Sequence, residues 1–169
     1  MGETVRGRVW SFGNDISTDL IQPVHALLRP LDEQPRYVFE ANRPGWVDRV
    51  QPGDLIVAGR NFGTGSGRPA ARVLRDLGIA GVLCDSINGL FFRNCVNFAF
   101  PALRCPGASA AFNEGDMASF DLAGGTVRNE TTGAELAGQR WEPELLEIYR
   151  HGGLLEQLRG EGLIRAEQP

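Results

Sequence analysis

The chain of 169 residues contains no lysine, so all 17 of its basic residues are arginine. That absence removes Schiff-base chemistry, the phosphate-gripping lysine of a Walker loop and any lysine general base. Histidine is nearly as scarce. His25 and His151 are the two copies, and neither stands in a recognisable triad pattern. The three cysteines, Cys84, Cys95 and Cys105, are odd in number, widely spaced and free of any C-x-x-C pair. This argues against a disulfide framework or a self-contained metal site and predicts reduced, buried thiols. No basic run is present, and the net charge of −4 argues against a nucleic-acid partner. No apolar run approaches the ~18 residues of a membrane span and no signal peptide is visible, so a cytoplasmic protein is expected.

What is there suffices for a core. The hydrophobic share of 42% beside 22% charged residues is that of a soluble globular chain, and residues 1–169 are expected to form one domain. Residues 4–12, TVRGRVWSF, alternate apolar and polar and predict a half-buried strand. Residues 29–54 carry four prolines and read as a surface excursion with short helical pieces. Buried strands are predicted over 54–59, 79–86 and 99–105. Helices are predicted between them, over 68–78 and over 86–98, the second with Ser86 as its N-cap. Two strand–helix units ending in a strand imply a parallel sheet. Residues 117–139 then read as short strands with Gly-rich turns, and 142–164 as two helices broken at Gly152–Gly153.

The stretch N-F-G-T-G-S-G-R, residues 61–68, falls between a predicted strand and a predicted helix. Ligands of α/β sheets bind beyond the carboxyl ends of the strands. A helix start offers unpaired N–H groups to an anion. Gly63, Gly65 and Gly67 let the backbone come close, and Arg68 adds a cation suited to a carboxylate or phosphate. The pattern is neither a Walker loop nor the dinucleotide fingerprint, being one residue short of its third glycine. On spacing alone, Ser66 is open to a structural, a ligand-binding or a catalytic role.

Four segments carry a resemblance: GRVWSFGNDISTDLIQP (7–23), GDLIVAGRNFGTGSGR (53–68), FFRNCVNFAFPAL (91–103) and GGLLEQLRGEGLI (152–164). In this order they are similar to the small subunit of isopropylmalate dehydratase, the swivel domain of the aconitase superfamily. The resemblance implies an α/β fold of the aconitase swivel type, β/β/α layers with a partly parallel sheet flanked by helices. It implies a hydro-lyase subunit that acts with a large subunit on a small malate-type hydroxy acid. The 4Fe–4S cluster is expected on that partner, with no cofactor or metal held by this chain. Carried over by position, Ser66 is the catalytic base and Asp19, of the D-x-x-T-D segment with Asp15 and Thr18, its catalytic companion. Arg68 grips a substrate carboxylate, with Thr64, Gly65 and Gly67 in the binding loop and Arg29 and His25 at the substrate-loop position.

The departures are specific. The usual G-S-S-R-E reads GSGRP, the arginine of S-F-A-R-I-F is Gly89, and the Y-L-R loop reads HALLR. Fewer arginines imply a substrate other than isopropylmalate. The alternative reading is a non-catalytic paralogue that binds an anion or a partner. The family's docking surface also implies exposed apolar residues and self-association of the isolated chain.

Overall fold

The computed structural model describes residues 3–65 and 67–165. One seven-stranded mixed sheet runs through the molecule in the order β4–β3–β2–β1–β5–β6–β7. Strand β1 (Thr4–Phe12) has the predicted bounds and joins two unlike halves. Its end pairs in parallel with β2 (Leu55–Ala58), Val9 facing Leu55 and Phe12 facing Ala58. Its start pairs antiparallel with β5 (Met117–Asp121), Thr4 facing Asp121.

The parallel half continues through β3 (Gly81–Cys84) and β4 (Ala102–Arg104). Every residue of β2 and β3 is buried, as a strand covered on both faces requires. Helix α2 (Ala70–Asp76) joins β2 to β3, and α3 (Gly89–Asn97) joins β3 to β4. The two helices pack on each other. Strands β6 (Thr126–Asn129) and β7 (Glu135–Ala137) complete the antiparallel half. Helices α5 (Pro143–Arg150) and α6 (Leu154–Gly160) pack against α3. The short α1 (Thr18–Ile21) and α4 (Ala108–Ala111) were not legible as helices in the sequence.

Two expectations need correction. Ser86 does not cap α3; Asn88 does, its side chain accepting the Leu90 N–H. Ser86 is engaged elsewhere: its hydroxyl accepts from the Asn61 N–H at 2.8 Å and its carbonyl from the Phe62 N–H at 3.0 Å. Residues 29–54 are also more than a surface excursion. Phe39 and Trp46 are fully buried. Phe12 lies 4.3 Å from Phe39 and Trp10 5.9 Å from Trp46, centroid to centroid. The segment therefore forms an aromatic cover over β1, each ring contributing contact beyond its buried area.

The start of β2 is tied to β1 through a buried carboxylate. Asp54 accepts from Arg8 Nη2 at 2.8 Å, Trp10 Nε1 at 2.7 Å and the Gln51 N–H at 2.9 Å. Burial pushes this carboxyl up, but the bonds from Arg8, Gln51 and Trp10 outweigh it and hold the group below its ordinary range. All three tryptophans are in the core, as is expected for residues of that size. None of the helices is long and apolar enough to cross a membrane among the described residues.

Candidate active site

The glycine loop leaves the carboxyl end of β2 and is stitched along its first half to the segment between β1 and α1. The Asp15 N–H donates to the Arg60 carbonyl at 2.8 Å, and the Gly63 N–H to the Ile16 carbonyl at 2.7 Å. The Thr18 N–H donates to the Thr64 carbonyl at 2.7 Å. Asn61 Nδ2 adds a bond of 3.0 Å to the Asp15 carboxylate. The D-x-x-T-D segment and the glycine loop, 46 positions apart at Asp15 and Asn61, thus form one unit.

Three glycines are needed for this shape, Gly65 among them at φ +115°. Gly63 has φ +78°, and a Cβ on it would lie 2.2 Å from the Phe91 ring of α3. Gly67 has φ +70°, and a Cβ there would meet Leu90 at 2.8 Å. Both positions exclude an ordinary side chain on backbone grounds. At Gly65 the space belongs to Thr18, whose Oγ1 would lie 3.0 Å from an added Cβ. That hydroxyl is buried and meets no partner among the described residues.

At the loop tip the stitching stops. Thr64 bridges in parallel to Ser17, and the backbone N–H groups of Gly65, Gly67 and Arg68 find no acceptor among the described residues. Ser66, the expected base, stands between them in the sequence and lies outside the described residues. Arg68 follows, one-sixth exposed, just ahead of α2. Its Nη1 donates to the Gln22 carbonyl at 2.6 Å, and its Nη2 pairs with Asp19 Oδ1 at 3.1 Å. Asp19 is 60% exposed and sits in the first turn of α1, whose N-cap is the Ser17 hydroxyl. Nothing else among the described residues engages the guanidinium. A planar cation with unused donors beside free backbone amides can receive a carboxylate.

The structure thus brings Asp19, Thr64, Gly65, Gly67 and Arg68 together. No direct contact joins the other two expected residues to them. His25 Nε2 lies 2.9 Å from the Glu40 carboxylate, and its ring stands edge-on to Tyr37. The Arg29 guanidinium lies over the same Tyr37 ring at 5.9 Å. Both occupy the loop that follows Pro23, a 3-10 turn over Val24–Leu28. Gln22, Gln34 and Arg72 are polar residues of the site's support that sequence reasoning missed. Gln34 and Arg72 stand in no motif, and Gln22, though inside the 7–23 segment, is an uncharged residue without an assigned role there.

Cluster binding finds no support in the cysteines. Cys84 and Cys95 are fully buried and burial pushes both thiols well up; burial raises Cys105 to about 11. Among the described residues no three His, Cys, Asp or Glu side chains converge on a metal position. These residues do not fit an iron–sulfur cluster.

Residues 30–107 match the Aconitase C-terminal domain family. The isopropylmalate/citramalate isomerase small subunit of Methanocaldococcus jannaschii is 38% identical over 161 residues, covering 94% of this chain and 96% of that one. The chain belongs to the isopropylmalate dehydratase small-subunit family. Substrate varies within its relatives' names: the methanogen homoaconitase small subunit of Methanothermobacter thermautotrophicus is 39% identical over 89% of this chain and 88% of that one. A crystal structure of 3-isopropylmalate dehydratase from Methanocaldococcus jannaschii superposes with a TM-score of 0.88 at 27% identity, covering 95% and 96% of the two chains. The mixed sheet with its flanking helices is thus the fold of this small-subunit family.

Proposed function

We propose that this chain is the small subunit of a heteromeric hydro-lyase, acting on a malate-type hydroxy acid with Ser66 as the base. The observation that carries the reading is the loop tip. Three backbone amides without an acceptor among the described residues, and one pre-held guanidinium, flank Ser66 in sequence. The relatives' names supply the reaction class.

In this reading Arg68 holds the carboxylate next to the carbon that loses hydrogen. The Ser66 oxygen takes that proton, the C–H electron pair forms the new double bond, and hydroxide departs from the neighbouring carbon. Charge accumulates on the clamped carboxylate as its carbon is deprotonated, and the guanidinium faces that charge. A serine hydroxyl is a weak acid, so its alkoxide needs the amides and the cation around it. Asp19 keeps the guanidinium aimed and is exposed enough to yield to the substrate carboxylate. The cluster expected on the large subunit would act on the departing hydroxyl as a Lewis acid; the residues of this chain act on the carbon side.

The substrate is a malate derivative other than isopropylmalate. Gly89 supplies no cation, a Cβ on it would meet open space, and Arg29 lies against Tyr37. The test is co-expression with the large subunit and anaerobic assay against a panel of substituted malates. Turnover is expected with a less bulky or less charged member as the best substrate. Isopropylmalate as the best substrate would overturn the substrate assignment, and no turnover of any hydroxy acid would overturn the enzyme.

A further inference from the structure

The Pro-rich segment sends one buried amide towards Arg68. Gln34 is 3% exposed and starts the 3-10 turn Gln34–Tyr37. Its Oε1 accepts from Gln22 Nε2 at 2.9 Å and from Arg72 Nη2 at 2.8 Å. Its Nε2 donates to the Arg29 carbonyl at 2.9 Å. Gln22 is itself fully buried, and its carbonyl is the oxygen that receives Arg68 Nη1. One side chain therefore joins the end of α1, the first turn of α2 and the loop that carries His25 and Arg29.

The partners have few alternatives. Among the described residues Gln22 Oε1 and Arg72 Nε are buried without a hydrogen bond, and Arg72 Nε lies 4.0 Å from the Asp76 carboxylate. A buried polar group gains nothing by moving away from its one partner. Of the two anchors of Arg68, the Asp19 carboxylate is exposed, whereas the Gln22 carbonyl belongs to a fully buried residue whose side chain Gln34 holds.

We propose that Gln34 is a positioning residue: it presets the Arg68 guanidinium through Gln22 and couples it to the Arg29 loop. The proposal rests on the reading of Arg68 as the carboxylate clamp. Gln34 touches no substrate. It acts by holding one backbone carbonyl under the clamp and another in the loop, so that the two move as one body.

The two arms separate by substitution in the assembled pair, assayed on the panel substrate that the parent pair uses. Gln34→Glu keeps an acceptor for Gln22 and Arg72 but has no N–H for the Arg29 carbonyl. It is expected to raise KM by about tenfold and leave kcat near the parent value, the size of one lost hydrogen bond. Gln34→Leu removes both arms and is expected to lower kcat by about 10²-fold, as for a group displaced by about an ångström. A purely structural role would move the melting temperature of both variants without splitting kcat from KM. The double variant Gln34→Leu/Arg68→Ala should turn over no more slowly than Arg68→Ala alone.

Parent-like kcat in Gln34→Leu, with Arg68→Ala crippled, overturns the positioning role and leaves the clamp standing. Parent-like turnover by Arg68→Ala overturns the clamp, and the positioning role with it. Should Gln34→Leu fail to fold, Gln34→Glu decides: an unchanged KM contradicts the proposal.

Discussion

Arg68 and Gly63 show how much of this loop is decided by single atoms. Arg68 is held from two sides by oxygens of different kinds, the carbonyl of a buried residue and an exposed carboxylate. It is therefore aimed without being satisfied, which suits a group that must exchange one partner for a substrate. Gly63 is a packing requirement of the same loop, because the Phe91 ring fills the volume a side chain would take. Gly63→Ala also meets a left-handed backbone, and the two penalties act together. It is expected to cost about 3 kcal/mol, lowering the melting temperature by roughly 6–12 °C, which calorimetry checks. Gly67 explains one departure from the G-S-S-R pattern: at φ +70° a serine would be strained.

At the scale of elements, legibility follows from whether the signal is local. Strand β1 could be read to the residue because its alternation is a property of nine consecutive side chains. That it would pair parallel on one side and antiparallel on the other could not be read, since pairing is decided by distant strands. The start of α3 was misread for the same reason. Ser86 is as good a cap as Asn88 by type, but the returning glycine loop claims its oxygens first. The pairing of Arg68 with Asp19 joins two residues that the motifs single out, whereas Gln34 is an uncharged residue in a Pro-rich stretch whose partners come from three elements.

The β1–β2 junction carries a pH dependence. The Asp54 carboxyl is held below its ordinary range in the folded state. It contributes stability that is fully present above its unfolded value of about 3.9 and is lost as pH falls through the lower folded value. Asp54→Asn keeps the shape but gives up the charge facing Arg8. At neutral pH it is expected to lose about 2 kcal/mol. Its difference from the parent should shrink as the pH is taken below 4, which denaturant titrations across that window measure.

At the scale of the whole molecule, the polar site has an apolar border. Leu28 is 86% exposed and Val24 64%, both in the loop after Gln22, and Leu90 beside Gly67 is 43% exposed. Large exposed side chains around the candidate site are what an uncovered docking face leaves. The isolated chain is expected to self-associate and elute above its 18.4 kDa mass, and Val24→Ser with Leu28→Ser should return it to a monomer. Size-exclusion chromatography with light scattering reads both; a monomeric parent would remove this face from consideration.

The account stands on the Ser66 oxygen taking a proton from the carbon beside a clamped carboxylate. The most direct measurement is deuterium exchange from solvent into the substrate, followed by NMR in the assembled pair with Ser66 and with Ser66→Ala. The account predicts that exchange slows by at least about 10²-fold in Ser66→Ala while the substrate binds as tightly as before. Exchange at the parent rate in Ser66→Ala would contradict it.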